Sequence, residues 1–256
     1  MCDPKIISMV AKIVDDFYVR KKKKFMRSFD ERLTVVNEEL LKKFDNKKSE
    51  ELMSQMRAEF EKILPDIPYI GGQKNPTTLV LVKCMSDLAI FRTLEKIGFS
   101  FREIGEFHYN YVIAVHNLRK ETLKKAGKDP SQYPFDPVYM DYQKKLTKET
   151  QLKLYPDDFV IDFVEGDGAN FEWGWDITEC GVQKAYKKLG GEKYLPFICL
   201  GDHYEAEGLS FGFSRDQTLG FGAPLCTHRF VKNYKPPSAW PPDDLEEFNA
   251  EFFQDK

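Results

Sequence analysis

The 256-residue sequence is short of cysteine, of net charge and of long apolar runs, and each shortage removes a class of protein. Its five cysteines, Cys2, Cys84, Cys180, Cys199 and Cys226, are widely spaced and contain no CxxC pair. That pattern excludes a disulfide framework and a compact zinc knuckle, and it fits reduced thiols in a cytoplasmic setting. With 38 basic and 41 acidic residues the chain carries a formal net charge of -3 and lacks the positive field a polynucleotide would need. The basic run from Arg20 to Lys24 leads into Phe25 and Phe29 and reads as the solvated side of an amphipathic helix. No apolar run approaches the ~20 residues that cross a bilayer. The stretch from Met9 to Val14 is cut by Lys12 and ended by Asp15 and Asp16, so no secretory signal is expected.

What remains is a globular composition, 42% hydrophobic and 31% charged. From Pro4 to Leu64 apolar residues recur at helical spacing, at Ile6, Met9, Val10, Ile13, Val14 and Phe17, and again at Leu33, Val36, Leu40, Leu41 and Phe44. Two or three helices follow, interrupted at Asn46 to Ser49 and stopped by Pro65 and Pro68, and they could serve as a lid or as an arm for homo-oligomerisation. A buried helix is expected from Leu79 to Ile97 and another, capped by Ser100, from Phe101 to about Lys125. Residues 127–156 read as a linker loop.

After Pro156 the pattern changes to short strands. Phe159 to Glu165 and Phe171 to Ile177 form a hairpin across a turn at Gly166 to Asn170, with an aromatic face at Trp173 and Trp175. Thr178 is placed to cap a helix over Glu179 to Leu189, a second helix runs from Tyr194 to Ala206, and Leu209 to Arg215 and Leu225 to Val231 read as strands. The expected fold is α+β: a helical N-terminal half (residues 1–126) packed with a C-terminal antiparallel sheet of about four strands covered by two helices (157–235), then an acidic, proline-rich tail (236–256).

The residues able to do chemistry fall in that second half. Cys180 at a helix start would feel the positive end of the dipole, which lowers a thiol pKa, whereas Glu179 beside it raises it; nucleophile and apolar filler both remain open. Cys199, Asp202, His203 and Glu207 lie on related helical faces, so a thiol, a carboxylate and an imidazole could converge for acid–base work. An ordinary helix end with exposed acids is the alternative. Cys226 and His228 share one face of the last strand, with Arg229 on the other. Arg215 and Arg229 could each fork a substrate carboxylate or pair with the many local acids. A metal site from Cys180, Cys226 and a histidine matches no zinc spacing, and no metal or cofactor is implied.

The segments Phe163 to Gly168, Thr178 to Gly181, Leu195 to Asp202, Arg215 with Thr218 to Gly220, and Cys226 to Phe230 together resemble the L-2-amino-thiazoline-4-carboxylic acid hydrolase family. The resemblance implies a hydrolase that opens a small cyclic amidine or thiazoline-type ring: water adds to the carbon between sulfur and nitrogen, and the C–S bond breaks. On that reading Cys180, Asp202, Cys226 and Glu179 are the catalytic candidates, and Arg215, Arg229, His203, Trp173, Trp175 and Thr218 the substrate-binding ones. The family pattern places an acid and an aromatic between the last cysteine and arginine, where this chain has Thr227 and His228. That departure, with the aromatic hairpin, suggests a different flat substrate. A non-catalytic small-molecule or metal sensor, and a lyase or isomerase acting on a related heterocycle, are the competing readings; neither a nucleic acid nor a membrane partner is expected.

Overall fold

The computed structural model describes residues 17–253. Helices α1 (Phe17–Arg20), α2 (Lys22–Leu40), α3 (Asn46–Ile63), α4 (Thr77–Lys96) and α5 (Phe101–Lys125) fill the first half. The apolar positions expected before Phe17 lie outside the described residues. Asn46 to Ser49 is no interruption: Asp45 accepts a hydrogen bond from the Lys48 amide at 2.8 Å and so caps α3, and the chain breaks one turn earlier. Ser100 and Glu103 form a reciprocal capping box at the start of α5, with the Ser100 amide donating to the Glu103 carboxylate at 2.9 Å. Ser100→Ala is expected to cost about 1 kcal/mol, read from the urea midpoint.

The stretch expected as a linker loop instead contains α6 (Pro137–Thr150), capped by Asp136 and started by Pro137 at its first position. Its helical signal is weak because few positions are apolar, and it packs on the edge strand of the sheet through buried Gln143, Thr147 and Thr150. The Thr150 hydroxyl and backbone of Ile161 exchange hydrogen bonds there.

Four antiparallel strands, β1 (Val160–Glu165), β2 (Trp173–Glu179), β3 (Phe213–Ser214) and β4 (Cys226–Phe230), form a sheet in the order β1-β2-β4-β3. Together with the helical first half they make the α+β fold. Trp175 lies opposite His228 and Ile177 opposite Cys226, a register that puts Trp175, His228 and Phe230 in one patch. Thr178 and Glu179 belong to β2 and cap nothing; β-branched Ile177 and Thr178 prolong the strand, and Cys180 takes the N-cap position of α7 (Gly181–Lys188). The expected single helix over Tyr194 to Ala206 is split at Leu200 into α8 (Leu195–Cys199) and α9 (Gly201–Leu209). Because α9 runs on to Leu209 and Ser210 turns left-handed at φ 63°, the following strand shrinks to two residues.

One buried apolar cluster runs from Phe17 through α2–α5 to Ile161, Ile177 and Cys226, and takes in Ala239 and Leu245 of the tail. A second is aromatic, with Trp173 stacked on Phe230 at 4.1 Å between ring centroids and on Phe163 at 5.4 Å. The tail therefore packs down on the protein. It crosses α5 at Gly105, where any Cβ would meet the Trp240 ring at 2.5 Å and Phe197 at 2.6 Å.

Candidate functional site

The first turn of α9 places Asp202 and His203 side by side, and helical geometry sends their side chains apart. Asp202 keeps a side chain 45% exposed, whereas His203 is buried edge-on against Phe213. Alternation along β4 directs His228 to the same side as Cys226, and Arg215 follows directly on β3.

These elements meet in one charge cluster. Arg215 Nη1 donates to Asp202 Oδ2 at 2.7 Å, and His228 Nε2 lies 3.0 Å from the same oxygen. Arg215 Nη2 donates to the Cys199 carbonyl at 2.5 Å and to Glu247 Oε1 at 2.7 Å, while Nε donates to Glu247 Oε2. Glu247 Oε1 is also 3.1 Å from His203 Nε2. Arg215 Nη1 lies 3.2 Å from His228 Nε2 as well, but a carboxylate only accepts, so the 3.0 Å contact from His228 Nε2 to Asp202 Oδ2 needs the hydrogen on Nε2. The hydrogen on His228 Nε2 therefore goes to Asp202, which leaves Nδ1 with the lone pair. Nδ1 is enclosed and has no hydrogen-bond partner among the described residues.

The electrostatics follow from this packing. Desolvation by its neighbours works to raise the Asp202 pKa, but the contacts with His228 and Arg215 outweigh it and hold the carboxyl well below the usual range. Burial likewise opposes ionisation of Glu247, and Arg215 with His203 overcomes it, so its pKa is also lowered. Burial depresses the His203 pKa, which keeps that imidazole neutral.

Asp202 and His228 open onto a cavity of about 380 Å³ of empty space, walled by Trp175, Phe211, Phe213, Phe230, Tyr133 and Tyr139, with Glu205 at the lining too. The Trp175 indole N–H, like His228 Nδ1, is enclosed without a partner among the described residues. The tyrosines come from the segment expected to be a loop, and Glu247 from a tail expected to be solvated; neither stretch shows a motif that would mark it. His228 was visible as an imidazole on the Cys226 face, but its pairing with Asp202 was not.

Of the sequence-expected residues, Asp202 and Trp175 reach the cavity. Arg215 lies beside it as a buried cation, its side chain 1% exposed and its N–H groups committed to Glu247, Asp202 and the Cys199 carbonyl rather than turned to the cavity to fork a substrate carboxylate. Arg229 turns to the opposite face and pairs with Asp176 at 2.8 Å. Glu179 is held by Lys153 and Lys184 at the end of β2. Trp173 is fully buried and donates to the Pro134 carbonyl, and His203 is enclosed behind Glu247. Thr218, 1% exposed, contacts the Cys226 sulfur at 3.3 Å.

None of the thiols is among the lining residues described. The expected lowering of the Cys180 pKa is reversed: burial, then the neighbouring Cys226, pushes it up to about 12, and the amides of Val182 and Gln183 at the helix start do not compensate. Burial raises the pKa of Cys199 and Cys226 as well. Cys199 is wedged against Gly220, whose absent Cβ would sit 2.3 Å from its sulfur.

A larger hollow, of about 600 Å³, lies between α1–α2 and the start of α4, lined by Phe17, Lys21, Lys24, Gln73 and Thr78. The α4 amides that could hold an anion there are already taken, Thr77 by the Asn75 side chain and Thr78 by the Asn75 carbonyl. Among the described residues no group of three or more His, Cys, Asp or Glu side chains is placed to hold a metal ion, and no helix is long and apolar enough to cross a membrane.

The α+β scaffold thus presents a guanidinium-braced carboxylate–imidazole pair in the lining of an aromatic cavity. A model of the L-2-amino-thiazoline-4-carboxylic acid hydrolase family matches residues 82–230, more than half the chain, and the chain belongs to that family. The match takes in Asp202, Arg215 and His228 but ends before the tail that supplies Glu247. No curated protein and no solved structure matches the chain.

Proposed function

We propose that this chain is a hydrolase that opens a small cyclic amidine or thiazoline-type ring, with Asp202 and His228 as its working groups. The observation that carries this reading is the unpartnered His228 Nδ1 and Trp175 Nε1–H on two lining residues beside a half-exposed carboxylate. An enclosed polar atom without a partner costs roughly 1–3 kcal/mol, and a bound water or substrate would recover it.

A protonated cyclic amidine is flat and cationic. Asp202 Oδ1, which takes no part in the contacts that Oδ2 makes with Arg215 and His228, pairs with its exocyclic and ring N–H groups, and the aromatic walls take its faces. His228 Nδ1 accepts a proton from water as the oxygen adds to the ring carbon between sulfur and nitrogen. Asp202 holds the tautomer and stabilises the imidazolium. Collapse of the tetrahedral intermediate forms the C=O bond and breaks the C–S bond; the proton held by His228 passes to the departing sulfur, and the hydroxyl proton, surplus because the ring entered protonated, is released to solvent. The product carries one water more than the substrate, as a carbamoyl-type amide and a free thiol.

Mass analysis of a panel of cyclic amidines and thiazolines after incubation tests the reading. A product heavier by one water supports it, whereas a product of unchanged mass points to a lyase or isomerase. Cys180→Ser is expected to keep activity within about threefold, because a thiol with its pKa near 12 is protonated at neutral pH. A hundredfold loss in that variant would return the nucleophile role to the thiol.

A further inference from the structure

We propose that the C-terminal tail completes the cavity's charge cluster, with Glu247 as a positioning residue that acts through Arg215 to hold Asp202 and His228 ready for a cationic ligand. The inference rests on the reading of the cavity as an amidinium site, and it goes beyond that reading because the tail lies outside residues 82–230 matched by the family.

The geometry assigns Glu247 more than a packing role. Its side chain is fully buried, and it takes the Nε and Nη2 edge of Arg215 with both oxygens. A guanidinium gripped along that edge cannot turn, so Nη1 is aimed at Asp202 Oδ2, 2.7 Å away. The charges make the second point. One guanidinium faces two carboxylates, Glu247 and Asp202, so these three side chains together carry one surplus negative charge. That surplus is available to an amidinium in the cavity, or to the His228 imidazolium during turnover. Without the Glu247 charge, Arg215 would be balanced by Asp202 alone, and a cation in the cavity would meet a neutral cluster.

The tail is anchored well enough to deliver this group. The Ala239 amide donates to Glu207 at 3.0 Å, the same carboxylate that Tyr109 of α5 binds at 2.8 Å, and Asp243 pairs with Arg102 at 3.1 Å. Ala239 and Leu245 are buried in the main core on either side of these contacts. Glu247 is thus brought in by a strap that is fixed to α5 and α9, whose packing also sets the position of Asp202.

The test compares full-length wild type with Glu247→Gln, which keeps size and most hydrogen bonds but removes the charge, and with Glu247→Asp, which keeps the charge. Two readouts are used. Binding of 2-aminothiazoline, a cyclic amidinium probe, is measured by calorimetry, and imidazole nitrogen shifts of the four histidines are followed by NMR. The expected result is about tenfold or greater weakening of probe binding in Glu247→Gln, with partial recovery in Glu247→Asp. The His203 and His228 signals move, while His108, which faces Asp87 and Phe91 of α4 and not the Arg215 cluster, stays in place. Unchanged binding with unchanged His203 and His228 signals overturns the proposal. Loss of tertiary structure in Glu247→Gln, with every histidine signal collapsing, assigns the residue a structural role only and also overturns it. If wild type binds no amidinium at all, the function proposed above fails; the Glu247 inference is then upheld or overturned by the histidine shifts alone.

Discussion

Asp202→Asn is expected to lower kcat/KM for ring opening by about 10³, or roughly 4 kcal/mol of transition-state stabilisation, while leaving the protein folded. Two effects combine. The amide no longer pairs with a cationic ring, and it no longer stabilises an imidazolium at His228, whose Nε2 lies 3.0 Å from the carboxylate. Folding survives because the Asp202 side chain is 45% exposed and Arg215 keeps Glu247 as its buried partner. The measurement is product formation by mass, alongside the melting temperature of the variant. Activity within threefold of wild type would remove Asp202 from the mechanism.

Arg215→Leu acts on the opposite balance and is expected to be a stability mutant. The substitution leaves Glu247 ionised and enclosed with only a neutral imidazole beside it, and breaking a buried pair in this way costs about 3–5 kcal/mol. At roughly 2–4 °C per kcal/mol for a chain of this size, the melting temperature should fall by about 10 °C. The pH dependence carries the sign of the effect. In wild type the Glu247 pKa is lowered from its ordinary 4.5, so the associated stability is present above that pH and is lost as pH falls through the lower folded value. In Arg215→Leu that acid-labile contribution disappears, and the variant's deficit against wild type narrows on acidification below about pH 4.5. Thermal scans at neutral pH and at about pH 3.5 check this; a deficit that grows in acid would contradict the assigned cause.

Local periodicity and capping made most of the helical half legible. Ser100 followed by Glu103 marks the start of α5 to the residue, since both halves of a capping box lie within one turn. The hairpin was equally readable, because alternating Trp173, Trp175 and Ile177 and the Gly–Asp turn are short-range signals. Errors fell where the local signal was weak or pointed two ways. The polar helix α6 hid between prolines, and Cys180, read as a first-turn thiol, proved to be the N-cap residue, where burial outweighs the helix dipole.

The helical first half, the late antiparallel strands and the family all follow from residues close together in the chain, because propensity, alternation and motif spacing act over a few positions at most. The pairing of Asp202 with His228, the burial of Arg215 and the arrival of Glu247 from 32 residues further on do not. Those depend on strand register and on the docking of the tail across α5, and each is stabilised by charge contacts that exist once the low-dielectric interior has closed around them.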